Sequence, residues 1–349
     1  MKRLLLLILT LAGIASGYAQ DTKTENKNTI IPFALEKVRF YGYGQAGFSY
    51  SDAEELKSSN SFDIKRIIVM ADAQVTKDLR AYFMYDFGPK AKLHEYWAEY
   101  HFADELKLKF GQQKTPFTIE NLMSNSTVEI IDGAQSIGYL AGINGSDAVY
   151  GGNAGRDLGI TLSGDLLNWN RGKLFTYQVG LFNGQGVNQK DLNSNKDFAG
   201  WLMINPCKCV RFGGSVYRGE GCSVYTGTDT SLPKSGVNYK RNRWSLGTEI
   251  TTAPVYVRAE YVSGQDADTD SEGYYATANI HLSPKVDIIA SYDYFNKNKL
   301  IDNEQTNYIL GLQYNFFKRC RLQGQYIFQD RTSSLGNANV IQTQLQIGF

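Results

Sequence analysis

The sequence contains few cysteines, prolines and histidines and has no large excess of either charge. Its 349 residues include only four cysteines, seven prolines and three histidines, and 36 Lys and Arg residues nearly balance 35 Asp and Glu residues. A net charge of +1 gives no electrostatic reason to expect nucleic acid as a partner. Beyond Gln20 no apolar run is long enough to cross a bilayer as a helix. Helical membrane proteins and cysteine-rich scaffolds are therefore excluded.

The four cysteines do not indicate a cross-linked or metal-binding protein. A single residue separates Cys207 from Cys209, which places them too close in sequence to bridge easily. A Cys-x-Cys pair also lacks the second ligand pair of a structural zinc site. We therefore expect weakly held free thiols at Cys207, Cys209, Cys222 and Cys320. The sequence predicts no metal and no other cofactor.

The first residues have the pattern of an export signal. Two basic residues precede an apolar run from Leu4 to Ile14, and Gly17-Tyr18-Ala19 has the small-x-small form of a cleavage site. The apolar run is too short for a membrane helix, and no cysteine stands at the cleavage point to carry a lipid. We assign residues 1–19 to a signal peptide and the polar residues 20–36 to a leader of the exported chain.

Tyrosine, phenylalanine and glycine are abundant, which favours strands joined by tight turns. The chain has 23 Tyr, 18 Phe and 34 Gly residues, and beyond residue 36 apolar and polar side chains alternate with a period of two. The predicted strands number roughly sixteen, each near the ~9–11 residues that a tilted strand needs to cross a bilayer. They are Lys37–Tyr50, Ser61–Val75, Leu79–Phe87, Leu93–Phe102, Leu106–Gln112, Asp157–Asp165, Lys173–Asn183, Phe198–Asn205, Cys209–Gly219, Asn238–Ile250, Val255–Gly264, Glu272–Leu282, Val286–Asn296, Glu304–Phe317, Cys320–Asp330 and Ala338–Phe349.

The connections between these strands alternate in length. Odd-numbered connections such as Gly184–Asp197 and Glu220–Val237 are long and polar, whereas even-numbered ones such as Thr76–Asp78 and Ser283–Lys285 are tight. Long loops on one side and short turns on the other are typical of outer-membrane β-barrels. A soluble sandwich has no reason to alternate in this way. An even number of strands places both chain ends on the short-turn, periplasmic side, and residues 20–36 then form a periplasmic leader.

The two faces of the strands differ in a way that predicts lipid outside and water inside. Leu106, Leu108 and Phe110 form one face of their strand, and Lys107 and Lys109 form the other. The polar face is too charged to pack as a core, so it should line water, and the apolar face should meet outer-membrane lipid. About sixteen strands enclose an aqueous channel. The predicted fold is an all-β, transmembrane antiparallel barrel over residues 37–349, in a bacterial outer membrane.

The fifth connection, Gly111–Arg156, is the third on the long-loop side of the barrel and is therefore called the third connection here. It is the longest interval without alternation. It carries apolar side chains that a solvated loop does not need, among them Phe117, Ile119, Leu140 and Ile137. A connection of this length in a compact chain is usually functional or disordered. We predict that it folds into the mouth of the barrel and narrows it. The alternative is a surface loop with a short helix.

Four stretches of the sequence resemble the phosphate-selective porins O and P. They are FDIKRIIVMADAQV (Phe62–Val75), LHEYWAEYHF (Leu93–Phe102), GQQKTPFTIEN (Gly111–Asn121), and GRDLGITLSG with VGLFNGQGVN (Gly155–Gly164 and Val179–Asn188). The terminal Phe349 resembles the signal that the barrel-assembly machinery recognises. The resemblance implies a homotrimeric porin whose third loop folds inward. It does not by itself establish selectivity for phosphate.

Ion selectivity should depend on the charges that face the lumen. By strand parity the inward basic residues that could guide anions include Arg66, Arg80, Lys107, Lys109, Arg211, Arg241, Arg243, Arg258 and Arg321, and Lys114 is added to them as the basic residue beside the Pro116-Phe117 turn. Their order along the strands places Arg66, Arg241 and Arg243 toward the outer mouth and Arg258 and Lys109 nearer the middle. The same order places Lys107, Arg80, Arg211 and Arg321 toward the periplasm. Acidic residues such as Glu95 and Glu99 face the same way. The alternative is therefore a lumen of paired charges.

The third connection departs from what a phosphate site requires. A dianion is held by several converging cationic donors, yet Lys114 and Arg156 are the only basic residues between positions 114 and 156. Four acidic residues lie in the same interval: Glu120, Glu129, Asp132 and Asp147. We therefore predict passive diffusion of small hydrophilic solutes, with a weak preference for small anions and no tight phosphate site. A phosphate- or polyphosphate-selective channel is the alternative.

A barrel enzyme and a barrel adhesin are the rival classes. Among the three histidines, His94, His101 and His281, only His101 shares a strand face with carboxylates. We favour a histidine solvated among carboxylates in the lumen over a catalytic pair. No Gly-x-Ser-x-Gly, His-Glu-x-x-His or phosphate-binding loop is present, and outside the third connection the loops are modest and polar. We therefore predict no catalytic residues.

The terminal residue provides a test of the predicted assembly route. If Phe349 is the recognition signal, Phe349→Asp should lower the amount of folded barrel in the outer membrane several-fold. Folded protein is measured by the change in gel mobility on boiling. Outer-membrane levels equal to those of the unaltered chain would contradict the assignment.

Overall fold

The computed structural model describes residues 37–53, 56–143, 154–169, 172–227, 233–301, 303–332 and 336–349. The barrel belongs to the compact unit Arg39–Phe349. The predicted signal peptide and leader lie outside the described residues. Within those residues no helix is both long enough and apolar enough to span a membrane.

Sixteen strands follow one another along the chain. They are β1 Val38–Ala53, β2 Leu56–Gln74, β3 Leu79–Asp86, β4 Lys92–Ala103, β5 Leu106–Lys114, β6 Arg156–Trp169, β7 Gly172–Phe182, β8 Asp197–Cys207, β9 Val210–Cys222, β10 Asn238–Thr252, β11 Val255–Asp266, β12 Thr269–Ser283, β13 Val286–Asn298, β14 Asn303–Phe317, β15 Cys320–Arg331 and β16 Ala338–Gly348. Two short helices, α1 (Ile119–Leu122) and α2 (Gln135–Leu140), lie between β5 and β6. Each predicted strand overlaps an observed one, so the predicted sixteen-stranded architecture is confirmed.

The sheet is a closed antiparallel barrel in which each strand pairs with its neighbours in sequence and β1 pairs with β16. At the seam the backbone N–H of Gly42 donates to the carbonyl of Phe349, and the N–H of Phe349 donates to the carbonyl of Gly42, both at 3.0 Å. Closure leaves no edge strand with unpaired backbone groups. Such closure is the condition for a sheet to stand in hydrocarbon.

Some strands are longer than predicted because hydrogen bonding continues where alternation stops. The residues Ser51–Asn60 were predicted to form a connection, but β1 runs to Ala53 and β2 begins at Leu56. Similarly, β6 continues to Trp169 instead of ending at Asp165. Polar side chains can continue a strand wherever both its faces are wet, and there the alternation that marks lipid is lost.

A β-bulge between β3 and β4 changes the direction of one side chain. Met84 pairs with Glu95 and Tyr85 pairs with Leu93, so His94 is the extra residue. His94 shares a parity with the outward Tyr96, yet its side chain is buried and lies 3.8 Å from the Asp86 carboxylate. The parity argument therefore fails at this position.

The expectation of four free thiols is wrong for two of them. Cys207 and Cys209 form a disulfide, with their Cα atoms 5.4 Å apart. Cys207 is the last residue of β8 and Cys209 follows it in the tight turn to β9. The turn brings the two Cα atoms within the usual range for a disulfide despite the short separation in sequence. Cys222 and Cys320 are free and buried.

Two glycines near the seam allow a matched test of closure. A Cβ added at Gly42 would lie 2.3 Å from the backbone oxygen of Ile68 and 2.5 Å from the Phe349 ring, whereas one added at Gly44 would meet nothing within 4 Å. Gly42→Val should lower the free energy of unfolding by about 1–3 kcal/mol and reduce the yield of the heat-modifiable folded form. Gly44→Val is the control. Equal yields for the two variants would contradict this account of the seam.

Candidate functional site

The segment from Thr115 to Gly155, here called the third loop, begins with a cluster of hydrogen bonds at its base. The side chain of Asn121 donates to the carbonyls of Thr115, at 3.0 Å, and Gly155, at 3.1 Å. Gly155 has φ of +67°, and a Cβ there would lie 1.8 Å from the Asn121 side-chain oxygen. A glycine is therefore required where the loop returns to β6.

The third loop packs against the inner face of the barrel through two apolar clusters. One joins Phe117, Ala134, Ile137, Tyr139, Leu140 and Ala141 of the loop to Phe182, Ala199, Tyr217, Val262, Tyr275 and Phe295 of the wall. The other joins Ile130 to Ile289, Ile309, Ile327 and Val340 of β13–β16. The inward face was predicted to be polar throughout, and this is wrong between β7 and β16. Apolar side chains there contact the loop and not water.

Acidic wall residues accept the backbone N–H groups of the loop. Glu260 accepts from the N–H of Ile119 at 2.9 Å, and Asp293 accepts from the N–H of Gln135 at 3.0 Å. The first N–H groups of a helix have no partner within it, and burial makes a partner necessary. Two carboxylates that parity assigns to the lumen thus hold the starts of α1 and α2.

Arg258, predicted to guide anions at mid-height, is completely buried. Its guanidinium donates to Glu120 at 3.0 Å and lies 2.9 Å from Glu129. Both carboxylates belong to the third loop. A permeating ion cannot reach this guanidinium, so the predicted role of Arg258 is wrong in this conformation. Strand parity correctly predicts that the side chain points inward but does not show what covers it.

Arg241 and Arg243, predicted to guide anions toward the outer mouth, are also buried, so a permeating anion does not contact them. Arg243 donates to both oxygens of Asp266 at 2.7 Å and also to the carbonyl of Leu140 in the third loop. Arg241 lies 3.7 Å from the Asp197 carboxylate. These two arginines stabilise the upper wall and are neutralised by carboxylates.

Arg321, predicted to lie toward the periplasm, donates to the carbonyl of Val128 in the third loop at 3.0 Å and to Gln313 at 2.9 Å. Its neighbours on the same strand face, Gln323 and Gln325, donate to the carbonyl of Glu129. The inner face of β15 therefore binds the loop backbone through three side chains in succession.

Four further predicted residues are partly exposed and ion-paired. They are Arg80 with Asp72 at 2.8 Å, Lys107 with Asp165 at 3.4 Å, Lys109 with Glu99 at 3.0 Å, and Arg211 with Glu249. Their side chains remain 23–43% exposed. For these residues the alternative interpretation, a lumen of paired charges, describes the arrangement.

A different group of cations gathers on the wall formed by β2, β4, β5 and β6. Arg66, Lys92, Lys114 and Arg156, here called the basic cluster, lie within electrostatic range of one another. Arg156 pairs with Glu95 at 2.8 Å, and Lys114 donates to the carbonyl of Met123. Glu95 and Asp86 are the carboxylates among them, so the cluster keeps an excess of positive charge.

The sequence arguments missed part of this cluster. Lys92 was not singled out, because it precedes the first clearly alternating residues of β4. The bulge at His94, which alternation in the sequence does not reveal, brings Lys92 to the inward side, opposite Asp86.

Arg66, whose position along β2 predicts a place toward the outer mouth, lies beside the third loop. A cavity of about 20 Å³ separates its side chain from the loop, enough for roughly one water molecule. The lining residues are Arg66, Glu120, Asn125, Val128, Ile130, Ile131, Asp132, Gly133, Gly138 and Ile143. Lys65, which the parity argument overlooked, pairs with Asp132 at 2.6 Å.

The remaining histidines are bound to carboxylates. His101 lies 2.7 Å from Glu99 and His281 lies 2.6 Å from Asp287. Among the residues that the structure describes, no serine, threonine or cysteine is hydrogen-bonded to either imidazole, and no three His, Cys, Asp or Glu side chains form a group that could hold a metal. The arrangement is that of charged groups in a lumen.

Comparison with solved structures gives outer-membrane barrels. OmpT from Vibrio cholerae aligns with a TM-score of 0.64 at 14% identity, over 89% of this chain and 99% of that chain. The anion-selective porin from Comamonas acidovorans aligns with a TM-score of 0.66 at 14% identity, over 89% and 99%. OprB from Pseudomonas putida aligns with a TM-score of 0.66 at 11% identity, over 90% and 95%. These likenesses show the fold. No curated protein matches the chain by sequence.

A sequence model of one family matches residues 38–209, which comprise β1 to β8 and the third loop. The family is described as phosphate-selective porin O and P. The matched residues include all four stretches on which the resemblance rests. The chain is thus an outer-membrane porin with a closed sixteen-stranded barrel, and its residues 38–209 match the phosphate-selective porin O and P family.

Proposed function

We propose that this porin passes small hydrophilic solutes by diffusion, with a weak preference for anions that depends on Arg66. The observation that carries the proposal is the cavity where Arg66, backed by the rest of the basic cluster, faces the third loop. Local charge at the narrow part of a channel sets its selectivity. Arg66 is the member of the cluster that lines this cavity.

The acidic residues of the third loop do not reverse this preference, because wall cations pair with them. Arg258 is shared by Glu120 and Glu129, and Lys65 pairs with Asp132. The fourth acidic residue, Asp147, lies outside the described residues. Among described residues the three loop carboxylates thus meet two wall cations, and the one negative charge that remains is smaller than the surplus of two positive charges in the basic cluster. This balance supports a net positive potential at the cavity.

The same contacts argue against tight binding of phosphate. A dianion requires several cationic donors that converge on one point. Lys114 already donates to the carbonyl of Met123, and Arg156 donates to Glu95 and to the carbonyl of Ala154. Arg66 remains as the donor that faces the cavity. A phosphate- or polyphosphate-selective channel is the second candidate, and the family description is what favours it.

The proposal extends to assembly and targeting. We expect a homotrimer, since the resemblance implies one and one aligned OmpT structure is of a trimer form. Residues 1–19 would direct export, residues 20–36 would form a periplasmic leader, and Phe349 would be recognised by the barrel-assembly machinery. The outward apolar side chains, such as Phe110 and Leu310, suit contact with outer-membrane lipid. A porin family also favours a channel over an enzyme or an adhesin.

Replacing Arg66 tests the selectivity. Arg66→Gln should lower the anion-to-cation permeability ratio several-fold, because a unit charge about 4 Å from an ion contributes roughly 1 kcal/mol even at the dielectric constant of water. The measurement is the reversal potential across a bilayer in a KCl gradient. Arg218→Gln is the matched control, because Arg218 is exposed on the outward face of β9. Identical reversal potentials for the two variants would refute the role of Arg66.

Added phosphate distinguishes the two candidate functions. Chloride conductance of the unaltered porin should be unchanged at micromolar phosphate and only slightly reduced at millimolar phosphate, because the converging donors of a tight site are missing. Saturable block at micromolar concentrations would establish the phosphate-selective alternative instead. Sulfate at the same concentration serves as the control for a general effect of divalent anions.

A further inference from the structure

We propose that Arg258 is the positioning residue that holds the third loop across the lumen and thereby sets both the size and the charge of the constriction. The part of the proposal that concerns charge rests on the proposed anion preference. The part that concerns size does not.

The geometry places one guanidinium between two points of the loop. Glu120 lies in α1 and Glu129 lies before the apolar Ile130, and Arg258 on β11 reaches both carboxylates, at 3.0 and 2.9 Å. The guanidinium also donates to the hydroxyl of Tyr275 at 3.1 Å. Its planar fork makes several directed bonds at once, which an ammonium cannot reproduce. A single side chain of the wall thus holds two separate points of the third loop, Glu120 and Glu129.

The charge balance of this interface makes Arg258 indispensable. Four buried carboxylates, Glu120, Glu129, Glu260 and Asp293, meet where the loop contacts β11 and β13. Glu260 and Asp293 are bonded to backbone N–H groups of the loop. Within the described residues, the one cation that forms an ion pair with this group is Arg258, and its partners are Glu120 and Glu129. Removing one partner of a buried ion pair is strongly unfavourable, because the other charge is left without compensation.

The expected response to losing Arg258 follows from this balance. Glu120 and Glu129 would regain solvation only by leaving the wall, and the loop would move with them. Glu120 also lines the cavity that Arg66 faces. An uncompensated carboxylate there would oppose the positive charge of Arg66. The channel should therefore conduct more and prefer anions less.

The experiment compares Arg258→Gln with Arg211→Gln in the full-length porin. Arg211 is the matched control, because it is an inward arginine paired with a buried carboxylate, Glu249, and it makes no hydrogen bond to the described part of the loop. Single-channel conductance and reversal potential are recorded for each. Loop position is followed separately with Ser136→Cys, since Ser136 in α2 is fully buried against Gly273. A small charged thiol reagent then reports its exposure, and the chain without this substitution gives the background of the native thiols.

Arg258→Gln should raise the labelling rate of the introduced thiol roughly a hundredfold or more, as expected for the loss of a buried pair. It should also raise the conductance and shift the reversal potential toward cations. The triple variant Arg258→Gln/Glu120→Gln/Glu129→Gln removes the arginine together with the two carboxylates that it holds. Relative to Arg258→Gln it should therefore shift the reversal potential back toward anions, while labelling stays fast. Arg258→Lys should give intermediate labelling.

Labelling and conductance equal to those of Arg211→Gln would overturn the proposal. If Arg258→Gln does not form a heat-modifiable barrel, the triple variant and Arg258→Lys decide the question, and slow labelling in both would overturn it equally. Failure of the proposed function has a different signature. The unaltered porin would then show no anion preference, while fast labelling of the Arg258 variants would still establish the positioning role.

Discussion

Polar backbone groups and charges that are taken out of water require partners, and this constraint acts on the structure from the seam to the lumen. In hydrocarbon it permits a sheet only if the sheet closes. The reciprocal bonds between Gly42 and Phe349 belong to the ladder that closes it. Inside the barrel the same constraint acts on charges, and carboxylates of β11 and β13 pair with backbone groups of the third loop.

The inner wall of the barrel has two regions, one that the third loop contacts and one that carries the basic cluster. Along β7–β16 the loop contacts the wall through apolar clusters and buried charge pairs. The basic cluster lies on the other side, on β2, β4, β5 and β6, and keeps its excess of positive charge. Arg66 meets the loop between these two regions. A loop that uses its acidic residues for attachment thus leaves the cations of the opposite wall to determine the field in the passage.

The sequence predicted the barrel well because lipid imposes a simple rule on it. Each strand that faces hydrocarbon must be apolar at every second residue, so strand number and inward direction could be deduced from alternation. The rule fails where lipid is not the neighbour. It missed the wet extensions of β2 and β6 and the bulge that buries His94. It also has no bearing on the tight turn that joins Cys207 to Cys209.

The candidate site shows why the role of an inward charged residue is harder to predict from the sequence than the direction of its side chain. Parity places Arg241, Arg243 and Arg258 in the lumen, but their partners come from β8, β11 and the third loop, and no local pattern relates residues so distant in sequence. For the same reason, the net charge of the third loop is a poor guide to the ion preference of the passage. Its excess of acidic residues suggests a passage that favours cations, yet Glu120, Glu129 and Asp132 are each paired with a cation of the wall. The electrostatic field at the constriction depends on the charges that remain after ion pairs have formed. The number of charged residues along one segment of the sequence does not give this remaining charge, because the pairing partners lie on other segments.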